Sequence, residues 1–456
     1  MPGNKKVVER FRLLLGINIF WLALSFLFDG INTLVLPLQI SQYSGSGGQA
    51  TLLGLLTLAG LLLGALVQPA AGALSDRWKP VLGRRGTIGI GLALCLISLF
   101  LFARSTHLAV FILGYILIQV SASLAQAGQQ GLIPDLIDEN RRGLASGIKG
   151  FMDLTGAMLG FVLLGQFLGS GRTQLAIGVL AGVLVLAYLL AILLTPEDRP
   201  GRIGKTLHKS ISLSGLFRLD LTEHRTFRHV LIARFLFLFG VYAIGRFLLF
   251  FVAQRLGLSP NQAAEQAGTL LAGLALVTLL ASPWTGWLAD RTGRIPVMIA
   301  GSVLGAAGAF LLIWADSAIL IFLFGSLMSL GSAAFASGSW ALLVDIVPRG
   351  ESARFFGLAN FSTAGPAAAV GLLGPLIDGF ELASPGSGYS LLFIISSAAF
   401  VGSVLPIRNE LRRIGEQNGN KPKDRTHAPG LAVVSLPADP ADLEEDQDPP
   451  RRPPEL

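Results

Sequence analysis

The sequence predicts an all-α polytopic membrane protein whose twelve transmembrane helices form two pseudo-symmetric six-helix bundles. Three observations lead there. The chain of 456 residues is 52% hydrophobic and only 14% charged, where a soluble chain carries about 25% charged residues. Apolar runs of about 20 residues recur from end to end, each long enough to cross about 30 Å of hydrocarbon as a helix. A backbone in lipid must satisfy its own hydrogen bonds, which makes these runs helices. Finally, one short charged motif occurs twice, at matching places in the two halves of the chain.

The spans fall near 12–38, 50–74, 86–104, 107–133, 146–169 and 173–195, then 227–253, 264–289, 295–315, 317–345, 353–378 and 386–406. Residues 1–195 make the first bundle and 227–406 the second, with a polar central loop at 196–226. Residues 407–456 are proline-rich and acidic, with too little apolar surface to fold, and are expected to be a disordered tail. Basic residues set the orientation. Lys5, Lys6, Arg10 and Arg12 precede the first span; Arg77, Lys79, Arg84 and Arg85 follow the second, and Arg199, Arg202, Lys205 and Lys209 the sixth. The alternate loops hold little beyond Arg104, Arg172 and Arg255. Both termini and the central loop are therefore expected in the cytoplasm, with the protein in the cell membrane.

The lone Cys95 excludes disulfides, and the scattered histidines show no metal-ligand spacing. The net charge of +7 collects in loops between spans, so it points to the lipid surface rather than to nucleic acid. No Gly-x4-Gly-Lys-Ser/Thr segment is present. Energy must then come from a gradient, and no nucleophile–base pair argues for an enzyme.

The repeated motif is GALSDRWKPVLGRRG at 72–86 and GWLADRTGRIP at 286–296. Asp135 and Gly147 recur at the same spacing as Asp345 and Gly357, and the stretch from Phe11 lies over that from Phe227. Such repeats are how many carriers build a site between two halves that rock against each other. Six plus six spans, with Gly-x-Leu-x-Asp-Arg…Gly-Arg after the second and eighth, resemble the major facilitator superfamily over residues of about 10–406. The resemblance implies that Asp76, Arg77, Arg84, Asp290, Arg291 and Arg294 latch helix ends as the carrier changes state. It also implies that Gly72 and Gly286 allow close helix approach. The first copy holds four more residues between Asp and Gly-Arg than the second. That longer form is similar to the glycoside–pentoside–hexuronide symporters and plant sucrose carriers, and implies sugar-like cargo. The fifth span lacks the Gly-Pro element of the superfamily's drug/proton antiporters; a Gly-Pro lies in the eleventh instead, at Gly365-Pro366.

The resemblance implies that spans 1, 4, 7 and 10 line a central cavity. Independently, Asn18, Trp21, Ser25, Asp29 and Asn32 fall within about a quarter-turn of one another on a helix. Tyr115, Gln119, Ser123, Gln126 and Gln130 share a face of span 4, and Ser326, Ser329, Ser337 and Trp340 one of span 10. Span 7 offers Tyr242 and Arg246. These residues are either cavity lining or the polar glue that joins helices in lipid. Asp29 and Arg246 are charges near mid-membrane, where a charge needs a partner or a role. They are expected to face each other, either as a proton-coupling pair or as a permanent ion pair. Asp153, four residues after Lys149, reads as one end of an i,i+4 pair. The leading expectation is a secondary transporter, working as a monomer without a cofactor, that moves a small polar solute with a proton or other cation. A proton antiporter exporting amphipathic compounds and a non-transporting delivery factor remain as alternatives.

Overall fold

A computed structural model of the protein describes residues 2–43, 47–137, 142–195, 224–346 and 352–419. The central loop at 196–223 and everything after Gly419 lie outside the described residues.

Among the described residues, twelve helices are long and apolar enough to cross a membrane. In chain order they are α1 (Phe11–Tyr43), α2 (Gln49–Trp78), α3 (Pro80–Ala103), α4 (Leu108–Gln130), α5 (Gly143–Gly169) and α6 (Thr173–Leu194). The second half holds α7 (Arg225–Leu256), α8 (Pro260–Thr292), α9 (Arg294–Trp314), α10 (Ala318–Leu343), α11 (Phe361–Ala383) and α12 (Ser387–Arg408). The sequence finds all twelve; their ends differ by up to eight residues, most at the start of α11, expected at 353 and observed at 361. The last helix continues past Pro406 to Gly419, into the segment expected to be disordered.

Glycine seams explain which helices touch. In lipid there is little hydrophobic gain in pressing one apolar helix on another, so close backbone approach through small residues does the packing. The paired glycines of α5 serve two neighbours. A Cβ at Gly156 would lie 2.1 Å from the Leu22 carbonyl oxygen on α1, and one at Gly165 would lie 3.2 Å from the Gly268 Cα on α8. Gly60 and Gly64 of α2 close on Tyr115 and Ser123 of α4.

The N- and C-terminal halves meet away from the repeated motif, at what we term the far end. A Cβ at Gly54 on α2 would lie 2.2 Å from the Gly371 carbonyl oxygen on α11, and one at Gly374 would lie 2.1 Å from that of Ala50. Asp378, one turn on, caps the start of α2: it accepts from the Thr51 amide at 2.6 Å and from the Ala50 amide at 3.3 Å. A carboxylate at a helix N-terminus satisfies orphan amides and complements the dipole. At the opposite, motif end, a Cβ at Gly72 or Gly286 would meet nothing within 4 Å. The close approach implied for these two glycines is therefore not made in this conformation, which is closed at the far end.

Candidate functional site

The motif resolves into backbone geometry and a charge fork. Gly83 (φ 66°, ψ 178°) and Gly293 (φ 95°, ψ 151°) both turn the chain into the following helix through positive φ. Residues with a Cβ avoid that region, so both copies need glycine there. The next residue is then aimed back at the preceding helix. Arg84 binds Asp76 at 2.7 Å, Asp135 at 2.9 Å and the Ser75 hydroxyl at 2.9 Å. It is nearly buried, and its planar fork suits several acceptors at once. In the second copy Arg294 donates to the Ala341 carbonyl on α10, and Arg291 stacks on Trp287 at 4.2 Å. Arg77, Asp76 and Asp290 are exposed. Asp135 is the partner that motif reading alone did not assign; the side chain of its repeat counterpart, Asp345, lies outside the described residues.

At mid-membrane α1 departs from α-helical geometry: Ile31–Val35 form a π-helical turn directly after Asp29 and Gly30. Single π turns inside helices are frequent at functional sites. Here the turn presents Asn32 to both halves. Its side-chain oxygen accepts from the Tyr115 hydroxyl at 2.8 Å and from Gln119 at 3.1 Å, both on α4. Gln119 also donates to the Tyr115 oxygen at 2.9 Å. The Asn32 backbone carbonyl accepts from Arg246 of α7 at 3.1 Å. Arg246 is 7% exposed, and its Nε finds no hydrogen-bond partner.

Asp29 is half-buried and makes no ion pair within 4.0 Å among the described residues. It lies within electrostatic reach of Arg246 and of Asp153. The two expected charges therefore sit near each other without being bonded. Asp153 does form its i,i+4 pair, with Lys149 at 2.6 Å, and also accepts from Ser25 of α1 at 3.2 Å. Trp21 is buried beneath Lys149, whose Nζ lies 3.9 Å from the ring centre.

Other expected lining residues divide between the two roles left open for them. Gln126 and Tyr242 are half-buried and Gln130 is exposed. The fully buried neighbour Gln129 instead ties α4 to α1 through the Ile17 carbonyl at 2.5 Å. Ser337 of α10 bonds Thr285 of α8 at 3.1 Å, a contact between helices rather than with open space. Trp340 is 43% exposed and lies against Arg234, with the guanidinium carbon 4.5 Å from its ring centre.

Twelve spans in two halves, joined tightly at one end and meeting at a cluster of opposite charges, define a polytopic membrane protein. The chain belongs to the Major Facilitator Superfamily, whose family model matches residues 19–264 and 230–438. With twelve spans it is an integral membrane protein of that family. It is similar to the class B tetracycline resistance protein of Escherichia coli, at 30% identity over 141 residues, 30% of this chain and 33% of that protein. It is also similar to the quinolone resistance protein NorA of Staphylococcus aureus, at 28% over 182 residues, 40% of this chain and 44% of that protein. The chain thus spans less than half the length of these relatives. Among solved structures, the nucleoside transporter NupG matches with a TM-score of 0.67 at 14% identity, over 88% of this chain and 99% of that one. A bacterial homologue of the lysosomal transporter Spinster, solved inward-facing, matches at 0.67 and 15%, over 88% and 96%. At such identities the structural likeness is one of fold.

Proposed function

We propose that the protein exports small amphipathic compounds by alternating access, exchanging them for protons at Asp29. The observation that carries this reading is Asp29 itself: a carboxylate in mid-span, without an ion-pair partner among the described residues, beside the π turn that Arg246 holds from the other half. A permanent ion pair would bond Asp29 to Arg246 directly. Here Arg246 spends a donor on a neutral carbonyl, so its attraction to Asp29 is free to change when Asp29 gains or loses a proton.

The cycle then runs as follows. With the motif end open to the cytoplasm, as the basic loops suggest, Asp29 gives up its proton and the solute enters. The ionised carboxylate pulls on Arg246 and loosens the bond that ties α7 to Asn32 of α1. The far end can then part, and the solute leaves. A proton taken up from outside releases Arg246 to the Asn32 carbonyl, and the far end closes again.

Export fits better than sugar uptake for two reasons. The resistance proteins that the chain resembles are named for amphipathic antibiotics. Moreover, Asn32, Tyr115 and Gln119 are consumed by bonds to one another, and the rings of Trp21 and Trp340 lie against cations. The longer first motif, which suggested sugar carriers, is occupied in reaching Gly83 and aiming Arg84. The test is exchange in proteoliposomes with an imposed pH gradient, offering tetracycline, a quinolone, a cationic dye, mono- and disaccharides. Gradient-driven movement of the amphipathic compounds, lost in Asp29→Asn, is expected. Sugar accumulation, or flux and pH dependence unchanged in Asp29→Asn, would overturn the proposal.

A further inference from the structure

Arg234 lies on α7 twelve residues before Arg246, about 18 Å nearer the motif end at 1.5 Å per residue. It is only 4% exposed. Its three nitrogens donate to Ser339 on α10 at 2.8 Å and to Ser362 and Thr363 on α11, each at 3.3 Å. Trp340 covers one face of the guanidinium. It makes no ion pair with a carboxylate among the described residues. An arginine stays charged in proteins, and neutral hydroxyls do not cancel that charge. A buried cation without a counter-charge is strongly disfavoured.

Of the acids in the central cluster, Asp29 lies in the field of Arg246 and Asp153 is bonded to Lys149 and Ser25, neither of them to Arg234. Three of the five guanidinium N–H groups are used, which leaves one on each terminal nitrogen. A pair of donors in one plane is what a carboxylate or phosphate accepts from arginine. Tyr242, half-buried on the same helix, is within electrostatic reach of Arg234, Arg246 and Asp29, and so links this arginine to the central cluster.

We propose that Arg234 is the docking point for an oxyanion group, carboxylate or phosphate-like, carried by the transported solute. This rests on the reading of the protein as a transporter of amphipathic compounds and names the charge those compounds bear. Trp340 holds the guanidinium plane and the three hydroxyls fix its direction, so that the anion meets a preset fork. An apolar body on the solute would then extend along α7 towards Tyr242.

Trp340 is also the reporter. Benzoate and its neutral counterpart benzamide are titrated into the purified full-length protein, following the tryptophan emission that is lost in Trp340→Phe. Benzoate is expected to bind at least ten-fold more tightly than benzamide. Arg234→Gln should remove that preference, and Arg234→Lys, which keeps the charge and guards against a folding artefact, should retain part of it. Equal binding of the two probes, or a benzoate preference surviving in Arg234→Gln, would overturn the proposal. Repeating the titration with phosphatidylglycerol separates the two sources of an oxyanion: competitive displacement of benzoate would assign the site to a lipid headgroup and refute a solute. Benzoate binding that persists in Asp29→Asn separates this site from proton coupling, so each of the two readings can fail alone.

Discussion

The seam between α2 and α11 sets the balance between the closed and open far end, and one added methyl group tests it. In Gly374→Ala the new Cβ would lie 2.1 Å from the Ala50 carbonyl oxygen, where ordinary contact begins at 3.4 Å, so the helices must part by about 1.3 Å. The obstacle is backbone belonging to the other half, which no rotamer change relieves. The same displacement stretches the 2.6 Å bond from the Thr51 amide to Asp378 beyond hydrogen-bonding range. Overpacking of this kind costs about 1–3 kcal/mol. Applied to the closed state alone, that moves the closed-to-open ratio by about 5–150-fold. Spin labels at Gln174 on α6 and Asp316 before α10, both exposed near the far end, report the opening in a Cys95→Ala background. Gly374→Ala should broaden the distance distribution towards longer separations, and Gly72→Ala, made where a Cβ meets open space, should not. An unchanged distribution in Gly374→Ala would refute the assignment of this seam as the far-end closure.

Three further outcomes follow from the geometry. Arg84→Ala removes the cation that binds Asp135 and Ser75 and should lower the thermal unfolding midpoint clearly, whereas Asp76→Asn, at a side chain 61% exposed, should cost only about 0–1 kcal/mol. Gly83→Ala forces a Cβ into positive φ and should destabilise by about 1–3 kcal/mol in a detergent melt, more than Gly72→Ala. Asn32→Ala and Gln119→Ala should each cost about 1–3 kcal/mol by leaving buried partners unbonded. The double variant should cost less than their sum, read as a coupling in a double-mutant cycle.

Composition and apolar run length were enough to place the spans, because a lipid-buried helix leaves a signal as long as the membrane is thick. The repeated motif was equally readable, and its glycines at 83 and 293 have a backbone reason to recur. The charges Asp29 and Arg246 stood out because each is expensive where it lies. Side-chain facing was less legible. A stripe drawn at one fixed angle per residue selects Gln130, yet the residue that α4 buries against α1 is Gln129. The π turn at Ile31–Val35 breaks that fixed angle inside α1 itself, and no local sequence pattern announces it. The cover of Trp21 was not legible either, because Lys149 comes from α5, 128 residues away. Arg234 is held by hydroxyls from two other helices, and only their packing brings those together.

The two ends of the molecule use different chemistry, and on the proposed reading that difference is what lets a proton move it. The far-end seam holds by close glycine contact and by the two amide bonds to Asp378, all lost over a displacement of about 1 Å. The Arg84 fork lies within one half, so it keeps α2, α3 and α4 rigid while the halves move against each other. Between these ends, the bond from Arg246 to the Asn32 carbonyl is a polar tie across the halves at the depth of Asp29. On the proposed reading a proton need not supply the energy of separating two helices outright. It needs only to tip a short-range seam by the 1–3 kcal/mol typical of coupling between sites. A change of charge beside a buried guanidinium is of that order or larger, because the low local dielectric strengthens it. This also explains why the tie ends on a backbone carbonyl. A carboxylate in that place would bind Arg246 in every state, and the proton on Asp29 would have nothing left to decide.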